Sequence, residues 1–212
     1  MKRRILRCRQ IPNTILFLYD KIIDYVKKHD GIFLRSELIN NNISKYYINR
    51  LIRDGIIEKY DHGVYVRCDV LEDEFYILQR KNPTIIYSHH TAMYLHQLSD
   101  RAPIQADATV YKGYNTRHLP KNINVHFCNK EVHHLGTTKI VTSQGFEVTV
   151  YNLERTTCDM IRSESNNKDN ESVNKFIRTV FLQHKLNTIK LIEYAKKLNC
   201  EEKVRQIMEV FS

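Results

Sequence analysis

The nine residues Lys45-Tyr46-Tyr47-Ile48-Asn49-Arg50-Leu51-Ile52-Arg53 combine an amide, three cations and two phenols at helical spacing. Tyr46, Asn49, Arg50 and Arg53 recur at intervals of three and four, which places them on one face of a helix, with Lys45 beside them at its N-terminal end. Tyr47, Ile48, Leu51 and Ile52 share the other face. An Asn amide matches the edge of adenine and an Arg guanidinium that of guanine, both through paired hydrogen bonds in a major groove. Tyr46 can stack on a sugar or donate to a phosphate. The same pattern also describes an ordinary solvated helix face, so the flanking elements decide between the two.

Those elements are informative. Ile15, Leu18, Ile22, Ile23 and Val26 give Thr14 to Lys28 an apolar stripe at helical spacing. Gly31 is suited to the left-handed cap that ends this helix. Ser36 is placed to cap a short helix, Glu37 to Asn40, with Leu38 and Ile39 facing inward. Asn41 and Asn42 supply a turn, because asparagine tolerates the left-handed region. Ser44 is placed to cap the helix Lys45 to Arg53, and Gly55 stops it. Ile56 to Tyr60 and Val64 to Val66 read as strands joined by Asp61-His62-Gly63. Helix, helix, turn, helix, hairpin is the order of a winged helix-turn-helix. In it, Lys59, Tyr60 and His62 sit where a wing touches DNA backbone or minor groove. Arg3, Arg4 and Arg7, in a basic arm with Lys2 and Arg9, add phosphate or minor-groove contacts.

Charge supports this placement. The 212 residues carry a net charge of +9. Residues 1–67 hold 14 Lys/Arg against 7 Asp/Glu, while residues 68–212 hold 19 against 17. A basic segment joined to a near-neutral one suits a polyanionic partner for the first.

With 42% hydrophobic residues the chain can bury a core. No apolar run approaches the roughly 20 residues of a membrane span, and the N-terminus lacks a secretory pattern, so a cytoplasmic protein is expected. The five cysteines are widely spaced with no C-x-x-C pair, which supports neither a disulfide framework nor zinc. Beyond residue 67 the pattern becomes mixed. Helices are expected over 70–81, 89–98, 153–163 (capped by Asn152), 172–183, 188–198 and 201–211. Strands are expected over 84–87, 108–111, 123–127, 138–141 and 146–151. The fold class is therefore α+β: a winged helix-turn-helix over 1–67, then a mixed α+β domain over 68–212 ending in a helical tail.

Competing chemistry is weaker. His89, His90, His96, His118, His133 and His134 match no usual ligand spacing, and His89 and His90 read as packing or capping at a helix start. Asp100, Asp107, Glu131, Glu147 and Asp159 would have to converge on a divalent cation to form a nuclease, and nothing in their spacing forces that. Arg155 and Asp159, four apart on one helix, read as an ion pair. No phosphate-cradling glycine cluster or nucleophile motif is present. No metal, cofactor or catalytic residue is expected, and the chain reads as a non-enzyme.

Several stretches carry a family resemblance. Gly31-Ile32-Phe33-Leu34-Arg35-Ser36-Glu37-Leu38, Ile43-Ser44, Arg50 to Tyr60 and Gly63-Val64-Tyr65 resemble the N-terminal domain of AbiEi-type antitoxins. Ser88-His89-His90-Thr91-Ala92, Leu98-Ser99-Asp100 and Val150 to Asp159 resemble that family's second domain. The resemblance implies an abortive-infection regulator of phage defence that binds inverted repeats of double-stranded operator DNA in its own promoter and represses it. It further implies self-association on DNA and a second domain that counters a nucleotidyltransferase-like toxin indirectly, without a stable complex. A DNA-tethered nuclease and an antitoxin that binds its toxin directly are the alternatives. In one departure, Asn41 and Asn42 stand where the family pattern has glycine.

Overall fold

The computed structural model describes residues 13–99, 101–163, 170–183 and 186–211; the side chains of 13–18 and 170–173 lie outside that description. The chain divides into two compact units, Met1–Ile77 and Leu78–Ser212. Sequence placed the change of pattern at 67/68. The segment after residue 67 stays with the first unit for local reasons. Val70 packs so closely on Gly31 that a Cβ there would lie 2.6 Å from Val70 Cγ2, and the Tyr76 hydroxyl donates to Asp30.

In the first unit, α1 (Asn13–Lys28) runs into Gly31, which takes φ +89° and so ends the helix without steric cost. Next come β1 (Ile32–Leu34), α2 (Arg35–Asn40), α3 (Lys45–Arg53), β2 (Ile57–Asp61) and β3 (Val64–Arg67). The strands form an antiparallel sheet in the order β1-β3-β2. Ile32-Phe33-Leu34 thus reaches strand conformation by pairing with Val66-Tyr65-Val64, a non-local partner that no local pattern announces. Tyr19, Ile22, Val26, Phe33, Leu38, Ile43, Ile48, Leu51 and Ile57 form the core.

Two caps differ from expectation. Neither helix of the α2–α3 pair uses its serine: α2 begins two residues earlier, and the Leu34 N–H donates to Glu37 Oε2 at 2.8 Å. Ser44 occupies the cap position of α3 but makes no side-chain capping bond. The asparagine turn is built differently at its two residues. Asn42 adopts φ +61°, and Asn41 donates its amide to the Glu37 carbonyl and the Tyr25 hydroxyl.

In the second unit, α4 (Glu74–Lys81), begun in the first, leads to β4 (Ile86–Tyr87), α5 (His89–Leu95), β5 (Ala106–Tyr111), β6 (Ile123–Cys128) and a 3-10 turn at Lys130–Val132. Then follow β7 (Thr137–Val141), β8 (Glu147–Tyr151), α6 (Leu153–Ser163), α7 (Asn170–Leu182), α8 (Thr188–Lys197) and α9 (Glu201–Val210). The five-stranded sheet has the order β6-β5-β4-β8-β7 and mixes parallel and antiparallel neighbours. Met93, Cys158, Ile161, Phe176, Val180, Leu191 and Val204 join the helices into a core. The four described cysteines are free thiols, with only Cys68 exposed. No described helix is long and apolar enough to cross a membrane.

The left-handed geometry at Asn42 makes a specific demand. Asn42→Gly should leave stability within about 0.5 kcal/mol, whereas Asn42→Val should cost about 1–2 kcal/mol, because a β-branched side chain resists positive φ. Chemical denaturation of the two variants checks this; equal stability would refute the conformational argument.

Candidate nucleic-acid interface

Helix α3 has a buried side and an open side. Ile48 and Leu51 are 1% and 0% exposed, anchored in the first unit's core. Lys45, Tyr46, Asn49 and Arg53 are exposed. Among the described residues, no side-chain hydrogen bond or ion pair engages Lys45, Asn49 or Arg53. Ile52 was placed on the inward face, yet is itself exposed, because the buried face is centred between Ile48 and Leu51 and Ile52 lies at its margin.

Arg50 behaves differently from its neighbours. It lies on the edge of the polar face nearest Tyr47, and its side chain folds back onto α1. The guanidinium carbon is 3.8 Å from the Tyr19 ring centroid, and Nε is 3.7 Å from Asp54 Oδ2. The Tyr19 hydroxyl donates to the same carboxylate at 2.6 Å. Burial, reinforced by the Asp54 bond and charge, pushes the Tyr19 phenol up to about 12. Tyr47 stacks on Tyr19 with ring centroids 6.2 Å apart, and Tyr46 meets Tyr47 edge-on at 5.3 Å. A connected series of rings and charges therefore links α1 to the exposed face. Tyr19 and Asp54 were not singled out in the sequence, although the i, i+4 relation of Arg50 to Asp54 was a usable signal.

The hairpin places its three residues as an exposed edge. After buried Ile57, β2 is exposed throughout, and Lys59, Tyr60 and His62 are all exposed. The β2–β3 register shifts between Lys59 and Asp61, which puts Tyr60 at a bulge. Burial, then the charges of Glu74, Glu72 and Asp61, raise the Tyr60 phenol. The hairpin edge is thus polar and aromatic, with Lys59 its cation. Arg3, Arg4 and Arg7 lie outside the described residues.

The second unit carries a different polar centre. Arg155 is 0% exposed. Its Nε donates to Asp159 at 2.9 Å, one terminal nitrogen donates to the Val132 and Leu135 carbonyls, and its guanidinium lies over the Tyr151 ring. The ion pair read from the spacing is therefore present, and it also ties the 3-10 turn to α6. Asn152 caps α6 by accepting from the Arg155 N–H. His89, the first residue of α5, is buried and adopts φ +46°. His126 stacks on it with centroids 3.6 Å apart and meets Asp107 Oδ1 through Nε2 at 2.8 Å. Sequence spacing held no sign of this pairing. It arises because β5 and β6 run parallel with Thr109 opposite His126. Among the described residues, no three His, Cys, Asp or Glu side chains converge as a metal site would require.

Residues 20–67, which span the core, α2, α3 and the hairpin, match a family model described as transcriptional regulator, AbiEi antitoxin. The match covers 48 of the 212 residues, so this segment is similar to AbiEi-type regulators. Among solved structures, the RV2827C protein from Mycobacterium tuberculosis is similar at 10% identity and a TM-score of 0.41, over 92% of this chain and 78% of that one. No curated protein matches the chain.

Burial sets a pH dependence of stability. It lowers the pKa of His89, His96 and His133 in the folded state, His89 well below 6.5. The unfolded chain then binds more protons than the folded one as pH falls below about 6.5, so stability is present above that value and is lost on acidification. Thermal unfolding from pH 7.5 to 5.5 should show a falling midpoint, with a slope of at most about 1.4 kcal/mol per pH unit for each histidine kept neutral. A midpoint that is flat or rises on acidification would contradict the burial.

Proposed function

We propose that the chain is an antitoxin and DNA-binding repressor. Its first unit acts as a winged helix-turn-helix on inverted repeats in its own promoter, and its second unit counters a nucleotidyltransferase-like toxin without forming a stable complex. The family match supports the regulator role. The observation that carries the DNA reading is the exposed, unengaged set Lys45, Asn49 and Arg53 on a helix whose opposite side is fixed in the core. In this reading Asn49 and Arg53 contact base edges, Lys45 and Tyr46 contact the backbone, and the wing residues Lys59, Tyr60 and His62 reach the adjacent strand. Arg50 contributes mainly by holding α3 on Tyr19. The chain acts without catalysis: the buried carboxylates Asp107 and Asp159 are each held by a nitrogen partner, an arrangement suited to structural pairing.

Gel-shift titration with DNA from upstream of the gene tests the reading, and failure to retard that DNA in preference to unrelated duplex would overturn it. Asn49→Ala and Arg53→Ala should each weaken operator binding by roughly 1–3 kcal/mol and relax base preference, while Lys59→Ala should weaken all sequences alike and reduce the salt slope by about 1. Arg50→Ala should lower the thermal midpoint as well as affinity, whereas Arg53→Ala should leave the midpoint unchanged. The reverse pattern would exchange their roles.

A further inference from the structure

The second unit has a small, half-open cavity of about 170 Å³ between α6 and the β5–β6 flank of the sheet. His89, Thr109, His126, Cys128, Arg155, Asp159, Arg162 and Ser163 are among its lining residues. Parallel pairing places Thr109 beside His126 and Asp107 beside Asn124, so each pair projects from the same side of the sheet. Arg155, Asp159, Arg162 and Ser163 recur at helical spacing on α6. A polar face of a sheet therefore meets a polar face of a helix where apolar side chains would pack at lower cost.

The hydrogen bonds define what the cavity offers. Thr109 Oγ1 donates to Ser88 Oγ at 2.9 Å, and Ser88 Oγ lies 3.0 Å from His89 Nδ1. With the Ser88 hydroxyl donating to Nδ1, the neutral ring carries its proton on Nε2. Among the described residues His89 Nε2 has no protein partner, and no buried side-chain nitrogen or oxygen is left sealed without one. Nε2 therefore keeps an opening, and His89 is among the residues that border the cavity. Arg162 adds a guanidinium 44% exposed at the rim, with NH1 3.6 Å from Asp159 Oδ1, beyond hydrogen-bond contact. Arg155 already satisfies Asp159 at 2.9 Å, so the trio Arg155, Asp159 and Arg162 retains one positive charge. The backbone at His89 is held in the left-handed region, strain of the kind that persists where the surroundings fix a side chain for use.

We infer that this cavity binds a small oxyanion of phosphate class, with His89 Nε2–H and the Arg162 guanidinium donating to its oxygens and His126 beside them. A phosphate fits the space, which would otherwise hold only a few waters, and a guanidinium with an N–H donor matches its geometry. Neither the regulator role nor the DNA-reading face requires such a site.

The full-length protein should be titrated with inorganic phosphate, with 5′-AMP and with acetate, following the histidine ring protons by NMR and the heat of binding by calorimetry. Saturable phosphate binding that shifts the His89 and His126 resonances is expected. Tighter binding of 5′-AMP would mark a phosphomonoester as the ligand, and tighter inorganic phosphate would mark the free ion. Arg162→Gln, at a half-exposed position, should weaken binding roughly tenfold at an unchanged thermal midpoint, and His126→Gln should weaken it independently. No saturable shift into the tens of millimolar, equal binding of acetate, or unaltered binding by Arg162→Gln would overturn the site.

Discussion

The seating of Ile48 and Leu51 among Tyr19, Ile22, Leu38 and Ile57 is the constraint on which the first unit's surface depends. A nine-residue helix is too short to persist by backbone hydrogen bonding alone, so tertiary burial must fix it. Once those two side chains are inside, helical geometry leaves no freedom over which residues point outward. Lys45, Tyr46, Asn49 and Arg53 become the exposed set as a consequence of packing. Tyr19 sharpens the arrangement, because its ring supports Arg50 while its hydroxyl holds Asp54. The carboxylate at the end of α3 is thereby turned toward α1 and away from the cationic face.

The second unit depends on a comparable fixed point of a different kind. Arg155 carries a charge into a buried position, and its guanidinium is satisfied by one carboxylate, two carbonyls and an aromatic face. Tyr151 completes this by donating its hydroxyl to the His133 carbonyl. Helix α6, the 3-10 turn and β8 are therefore held by directional bonds as well as by area. Such bonds specify one arrangement more sharply than apolar packing does.

Legibility followed the range of the interactions. The three helices of the first unit, its hairpin and most strands of the second were readable because apolar periodicity and turn residues act within a few positions. Lys45–Arg53 and Leu153–Ser163 have the bounds that their patterns suggest. β1 was not readable as a strand, since Ile32-Phe33-Leu34 gains its conformation from residues 30 to 34 positions away. The serine caps were chemically reasonable, but a glutamate three residues into α2 took the role at its start. Arg50 was read as a member of the exposed face because periodicity locates a Cα and says little about where a long side chain will lie. The stacked His89 and His126 were beyond reach for the same reason that β-sheet register is: strand pairing sets it, and no local pattern encodes it.

The bulge at Tyr60 has a bearing on how copies of the protein meet. β2 is an edge of its sheet, and edges expose unpaired backbone groups that invite another chain. Here the strand is short, carries Glu58, Lys59 and Asp61 in the open, and breaks its ladder at Tyr60. A second molecule finds no regular row of amides and carbonyls to extend. The hairpin edge is thereby protected against merging with the sheet of another molecule.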